Sequence, residues 1–348
     1  IEAGELYDTR AMIQELQDRI TNQGQGNPEF TNLPRKFNIA IAGCRDNSVH
    51  AEINDLAFVP AFKDDVFGFN VLVGGVFSGK RFEFSLAILR LFRDHGLRAN
   101  RMKSRLMFLI DEWGIEKFRT EAEKVYGKTL LTAAPKDEIE WEKRDHIGVY
   151  PQKQAGLNYV GLHIPVGFIQ ANDFFELARL AEVYGTGELR FTVEQNVIIP
   201  HVADAKLEIL LSEPILQKFQ VQPRNLSRTV VSCTGAQFCN FALIETKQYA
   251  VSVIDAVEAK VDVPKPVRIH WTGCPNSCGQ PQVADIGLMG AKGRKDGKVV
   301  DAVDIFMGGT VGKDAKLGEK VMKGVPLADL DAVLVDLLTE KFGAKPIS

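Results

Sequence analysis

Four of the chain's five cysteines fall into two close pairs. The first pair lies in Ser232-Cys233-Thr234-Gly235-Ala236-Gln237-Phe238-Cys239, the second in Trp271-Thr272-Gly273-Cys274-Pro275-Asn276-Ser277-Cys278. The pattern is C-x5-C, 34 intervening residues, then C-x3-C. Four thiolates so grouped can hold a tetrahedral zinc ion or a cubane iron–sulfur cluster. Zinc ribbons favour C-x2-C knuckles, because a tight turn must bring both sulfurs onto one ion. The wider first loop is better matched to a cluster several ångströms across. Unrelated buried thiols are the plainer alternative, since Cys often packs as a small hydrophobe. Disulfides fit less well. Five is a low and odd count for 348 residues, and no apolar signal-peptide stretch opens the sequence, so a reducing compartment is expected. Cys44, in Ile41-Ala42-Gly43-Cys44, has no cysteine near it and reads as a buried structural thiol.

The stretch Thr272-Gly273-Cys274-Pro275-Asn276-Ser277-Cys278, followed by Asp285-Ile286-Gly287-Leu288, resembles the sirohaem and 4Fe–4S signature of the nitrite and sulfite reductases. The resemblance runs along essentially the whole chain and matches the C-terminal two-thirds of that family. It is nearest to the ferredoxin-dependent nitrite reductases of cyanobacteria and chloroplasts. It implies that Cys233, Cys239, Cys274 and Cys278 bind a 4Fe–4S cluster, with Cys278 bridging to the sirohaem iron. It also implies cofactor contacts from Thr234, Gly273 and Asn276. Glycine at 273 lets backbone approach a macrocycle closely, where a side chain has no room. The implied activity is six-electron reduction of nitrite to ammonium with electrons from reduced ferredoxin, in a cyanobacterial cytoplasm or a chloroplast stroma. An assimilatory sulfite reductase and a non-catalytic metal-stabilised fragment are the rival readings. Two further pocket arginines of the family have no match in this sequence.

Sirohaem is rich in carboxylates and nitrite is an anion, so cations matter. Arg suits bidentate carboxylate binding, and Lys acts as a compact charge. Arg35 and Lys36 precede a strand; Arg101, Lys103 and Arg105 form a run expected on one helix, where periodicity alone suggests a solvated face. The resemblance instead turns Arg35, Lys36, Arg101 and Arg105 toward the cofactor, and matches Lys36 and Asn38 to the catalytic distal pocket. Residues two apart on a strand share a face, so Lys36 and Asn38 can look into one pocket. Sulfite reductases usually carry a second lysine where this chain has Asn38. Sulfite is nearly a dianion at neutral pH and rewards that charge; nitrite, a monoanion, needs less. Gln195 and Asn196 lie in a turn after Thr192-Val193-Glu194, a motif the family places beside sirohaem. His163, His201 and His270 read as packed or hydrogen-bonded histidines, and Trp271 as core. Lys292, Arg294, Lys295 and Lys298, around an Asp296-Gly297 turn, are candidates for docking acidic ferredoxin.

What must position these residues is ordinary globular protein. Apolar residues make up 45% and charged ones 25%. The net charge of −3 does not imply nucleic acid, and no apolar run approaches a membrane span. The chain also repeats itself. Pro34 to Cys44 resembles Pro264 to Cys274 at an offset of 230, and the same offset pairs Asn54-Asp55-Leu56-Ala57 with Ala284-Asp285-Ile286-Gly287. Val73-Gly74-Gly75 echoes Met307-Gly308-Gly309. Two like modules suggest a crevice for a large flat cofactor. The expected fold is α+β: duplicated reductase modules with a ferredoxin-like middle domain, divided as 1–145, 146–225 and 226–348. Helices are expected from Phe82 to His95, from after Asn100 to Gly114, on to Gly127, from an Asn172 cap to Tyr184, from Asn240 onward, and from Leu327 to Phe342. Strands are expected at Val160–Ile164, Leu189–Val193 and Val197–Ile199. Between Lys80 and Leu86 the chain looks shorter than the family.

Overall fold

A computed structural model describes residues 4–74, 77–78, 82–141 and 144–347. The chain divides into two compact units, one built on Gly4–Arg144 and one on Asp145–Ser348. In the first, α1 (Arg10–Thr21) leads to β1 (Ile39–Ile41), β2 (Leu56–Lys63), β3 (Val66–Val73) and β4 (Phe77–Ser78). Then come α2 (Phe82–His95), α3 (Leu106–Trp113) and α4 (Ile115–Tyr126). The sheet runs β1-β2-β3-β4, with β1 parallel to β2 and the other pairs antiparallel. Alternation along β2 sends Leu56 and Phe58 to the helix-covered face, and Ala57 and Val59 to the other. Phe84, Ile88, Leu91 and Phe92 of α2 meet the first face at amphipathic spacing. Each such side chain stabilises the fold by roughly 1.5–3 kcal/mol when fully buried. The opposite face carries a smaller cluster, Ala40, Ala42, Ala57, Val59 and Ile139.

The second unit begins with β5 (Gly148–Pro151), β6 (Leu157–Leu162), α5 (Ala171–Tyr184), β7 (Arg190–Phe191), β8 (Val197–Ala203) and α6 (Leu207–Leu211). Its first sheet runs β5-β6-β8-β7, all antiparallel, with Leu177, Leu180 and Ala181 of α5 packed into its core. There follow β9 (Val230–Ser232), α7 (Lys247–Glu258), β10 (Val261–Asp262), β11 (Ile269–Thr272), β12 (Ile286–Lys295), β13 (Lys298–Met307), β14 (Glu319–Pro326), α8 (Leu330–Phe342) and β15 (Lys345–Pro346). A five-stranded sheet runs β14-β13-β12-β11-β9, and β10 pairs with β15. Here β9, β11 and β12 are parallel neighbours. Helices α7 and α8 bury Ala250, Val253, Ile254 and Val257, and Leu330, Leu334, Leu337 and Leu338, in the same core as Ile269 and Trp271. Trp271 is wholly buried there, and its indole N–H has no hydrogen-bond partner among the described residues. The β12–β13 hairpin closes on Asp296 and Gly297, both at positive φ (51° and 76°), the backbone a two-residue type I′ turn requires.

The repeat survives as structure. Ile39 pairs with Leu56 in parallel, and Ile269 with Ile286, each shifted by the sequence offset. In one copy the Asn38 N–H donates to Asp55 Oδ2 at 2.8 Å; in the other the Arg268 N–H donates to Asp285 Oδ2 at 2.8 Å. Each Asp also accepts at its carbonyl from a glycine N–H, Gly74 or Gly308, at 3.2 Å. An aspartate, buried in the first copy and partly exposed in the second, thus ties the start of each parallel strand to its neighbour.

Local readings differ in several places, among them the strand expected over Val160–Ile164, which runs Leu157–Leu162. The helix expected from Asn240 starts at Lys247, because residues 240–246 fold back as a loop. The cap of α5 is Gln170, in a reciprocal capping box with Asp173, not Asn172. The strand expected over Leu189–Val193 shortens to Arg190–Phe191, since the following residues turn. Arg101 and Lys103 lie in a one-turn 3₁₀ segment and Arg105 caps α3, so the three do not share one helix face. Ser104 closes that turn by donating to Arg101 O at 2.9 Å. The shortened stretch expected from Lys80 begins outside the described residues, as does Gly75 of the repeat.

Candidate functional site

Strands β9 and β11 are parallel, with Ser232 opposite Trp271. Cys233 and Cys274 therefore leave the same end of the sheet on neighbouring strands. The loop after Cys233 turns at Gly235, where the Cys239 N–H donates to Gly235 O at 3.0 Å. It returns through Ala236 N–H to Ile244 O (3.1 Å), and Leu243 N–H reaches across to Gly273 O (2.7 Å). The two cysteine loops are thereby sewn together. Gly273 is needed at that seam: a Cβ there would lie 2.8 Å from the Ala242 Cβ. Cys274 is buried, Cys233 and Cys239 are half-buried, and Cys278 is exposed; all four are free thiols. Among the described residues no three His, Cys, Asp or Glu side chains close on single-ion geometry.

The Cys233 sulfur and backbone are both held by hydrogen bonds. The Gly273 N–H donates to its Sγ at 3.1 Å. Its own N–H donates to Trp271 O at 3.1 Å, and the Thr246 hydroxyl donates to its carbonyl at 2.8 Å. Lys247 follows directly, and its ammonium donates to Ser232 O (3.3 Å) and Val166 O. Burial pushes the Lys247 ammonium below the usual lysine range, opposed by the charges of Cys233 and Glu245. An all-thiol donor set with an amide on sulfur and a cation alongside fits a 4Fe–4S cluster, whose potential depends on such hydrogen bonds and charges. Thr246 and Lys247 open α7, so a helix N-terminus follows the first cysteine loop, seven residues beyond the start expected at Asn240. Of the other motif residues, Thr234 and Asn276 sit in these loops. Cys44 lies in the other unit, half-buried and bridged to Glu5.

Gln195 and Asn196 act on the protein itself. The Gln195 amide grips Ser232 at both ends, donating to its carbonyl (2.8 Å) and accepting from its N–H (3.1 Å). Asn196 is buried and accepts from the Ile164 N–H at 2.9 Å. Both side chains thus have protein partners, and Gln195 fixes the residue before Cys233. His163 is buried between Ser227 and Arg228, and burial pushes it down to about 4, so it is neutral at physiological pH. His270 is buried on β11 and His201 half-buried on β8.

In the first unit, Asn38 lies just before β1, half-buried, and Lys36 is exposed two residues earlier. Neither Lys36, Arg35 nor Arg101 has an ion-pair partner among the described residues. Arg105 does. Its guanidinium forks onto Asp55, Nη2 to Oδ2 at 2.6 Å and Nε to Oδ1 at 3.1 Å. That fork holds Arg105 on a buried carboxylate of its own module. In the other copy Arg268 grips Asp285 in the same way, and Arg268 stands at the position of Asn38. The first module draws its arginine from Arg105 instead, leaving position 38 free to be a neutral amide. Sequence reasoning paired Asp55 with Asp285 through the repeat but gave them no role, and passed over Lys247.

The hairpin expected from the sequence to dock the donor is less basic in the fold. Lys292 pairs with Asp301 and Lys295 with Asp329, each at 2.5 Å. Among the described residues no helix is long and apolar enough to cross a membrane.

The sequence model of the nitrite and sulphite reductase 4Fe–4S domain matches residues 1–130 and 224–339, and that of the family's ferredoxin-like half domain matches 150–215. A ferredoxin–nitrite reductase of Synechococcus elongatus is 62% identical over 362 aligned residues, covering 99% of this chain and 70% of that protein. A chloroplastic ferredoxin–nitrite reductase of Zea mays is 52% identical, covering 99% of this chain and 65% of that one. The solved structure of the Mycobacterium tuberculosis NirA protein superposes with a TM-score of 0.86 at 30% identity, covering 98% of this chain and 65% of that chain. Matched in sequence and in fold along nearly its whole length, this chain belongs to the nitrite and sulphite reductase family.

Proposed function

We propose that this chain reduces nitrite to ammonium in a six-electron reaction, with ferredoxin as donor, in a cyanobacterial cytoplasm or a chloroplast stroma. The observation that carries the reading is the pair of cysteine loops at one end of β9 and β11, with the Gly273 N–H on the Cys233 sulfur. Cys233, Cys239, Cys274 and Cys278 would hold the 4Fe–4S cluster, with Cys278 the ligand nearest the sirohaem in this reading. When bound, these groups store electrons and pass them singly to the substrate. The chain's own residues do the rest. Lys36, a cation with no carboxylate of its own, receives the anion, and Asn38 offers a neutral donor and acceptor beside it. Asp55 holds the Asn38 backbone in place through a 2.8 Å hydrogen bond. Arg35 and Arg101 remain available to cofactor carboxylates, as do Thr234 and Asn276 as polar neighbours.

Turnover of nitrite and sulfite by the holoprotein with reduced ferredoxin tests the reading. A higher kcat/KM for nitrite is expected. A preference for sulfite, or a colourless protein without turnover, overturns it. Cys278→Ser should remove the coupling between cluster and haem, whereas Cys44→Ser should leave both absorbances in place. The reverse pattern would mean the ligands are misassigned.

A further inference from the structure

Lys247 is a half-buried cation at an unfavourable place. It is the first residue of α7, whose first turn holds no acidic residue. A positive charge there opposes the helix dipole. Its ammonium bonds to two carbonyls, Ser232 O and Val166 O, and pairs with no carboxylate among the described residues. The neighbouring Glu245 is committed elsewhere: its carboxylate accepts from the Gln237 N–H at 2.8 Å and from Lys247's own N–H at 3.1 Å. The walls mix apolar residues with the charged Lys218 and Asp255. Pro165, Val166, Phe168, Phe219 and Val251 border a cavity of about 430 Å³ that Lys247 also lines. Val166 itself is a β-branched residue at φ 49°, a conformation that persists only when its surroundings hold it. Lys247 fastens that turn to the strand end that carries Cys233. A half-buried ammonium whose bonds go only to carbonyls favours an anion close to it, and its bond to Ser232 O sets it beside Cys233.

We infer that the counter-ion is the anionic thiolate cluster, and that Lys247 is a positioning residue which makes the cluster easier to reduce. The inference rests on reading Cys233 as a cluster ligand. One-electron reduction by the donor adds one negative charge to the cluster, and a fixed cation beside Cys233 stabilises that product over the oxidised form. Coulomb's law at an effective dielectric of about 20 puts a unit charge some ~12 Å away at roughly a tenfold effect on the reduced-to-oxidised ratio. For a one-electron couple, tenfold corresponds to about 59 mV.

The test is a redox titration of the holoprotein followed by electron paramagnetic resonance of the reduced cluster, with iron and sulfide content measured alongside. Lys247→Met should keep the cluster but lower its reduced-to-oxidised ratio about tenfold at fixed ambient potential. Lys247→Arg, which keeps the charge, should stay within about twofold of the parent. If the methionine variant does not take up the cluster, Lys247→Gln keeps a hydrogen-bond donor without charge and should show the same tenfold fall. A neutral variant that titrates like the parent overturns the inference, and so does an arginine variant that falls as far as the neutral ones. A parent protein with no iron or sulfide would instead sink the cluster reading itself, which keeps the two failures apart.

Discussion

Asn38 and Arg268 stand at equivalent places in the two copies, and the difference between them sets the charge beside Lys36. In the second copy the position carries its own arginine to the partly exposed Asp285. In the first, Arg105 reaches Asp55 from the cap of α3. Asn38 is thereby free to be neutral. Asn38→Lys should shift the ratio of kcat/KM for nitrite and sulfite toward sulfite by about tenfold, because a second cation favours the more highly charged anion. An unchanged ratio would show that the residue does not discriminate. The clamp can be tested separately. Asp55 is almost wholly buried, so Arg105→Gln leaves a buried carboxylate without its cation. A loss of roughly 2–4 kcal/mol in unfolding stability is expected, somewhat below a fully buried pair because Arg105 is partly exposed. Adding Asn38→Arg to that variant should restore a good part of the loss by recreating the arrangement at Arg268. Denaturant unfolding of the single and double variants reads the coupling, and strict additivity would refute the equivalence.

At the scale of elements, the sequence was most legible where periodicity and punctuation agreed. Phe82–His95 and Ile115–Tyr126 showed apolar spacing and ended on Gly96 and Gly127, and both helices form there. The repeat was legible because the same residues start each parallel pair. Loops were harder to read. The stretch after Cys239 has helix-forming residues, yet it is held open by tertiary hydrogen bonds from Leu243 to Gly273 and from Ala236 to Ile244. Such bonds join residues far apart in sequence, and no local pattern announces them. The same holds for Gln195 and Lys247: their partners, Ser232 and Val166, are set by the packing of the half domain's turn on the strand that precedes Cys233. His163 belongs to this junction. Unfolded, its imidazole takes a proton near 6.5; folded, only near 4. The unfolded state therefore binds more protons between those values, and stability falls as pH drops from about 6.5 to about 4, by roughly 3 kcal/mol at most. Above 6.5 the group contributes no slope. Unfolding of His163→Gln over the same range should show a shallower decline. An identical pH profile would place the acid sensitivity elsewhere.

For the whole molecule the question is how a protein of net charge −3 meets an acidic donor. Local patches rather than net charge steer encounter, and the β12–β13 hairpin was the sequence's most concentrated basic stretch. The fold halves it. Lys292 and Lys295 are paired with Asp301 and Asp329, while Arg294 and Lys298 have no such partner among the described residues. If the hairpin docks ferredoxin, those two must carry the attraction. Neutralising Arg294 and Lys298 together should raise the KM for ferredoxin several-fold and flatten its dependence on salt, since exposed pairs weaken as screening grows. Neutralising Lys292 and Lys295 should do less for docking, and more to the hairpin's own stability, because each removal strands a carboxylate. Turnover with a small artificial donor serves as the control and should be unaffected by either pair. Equal effects of the two pairs on the ferredoxin KM, or none from Arg294 and Lys298, would move the docking surface away from this hairpin.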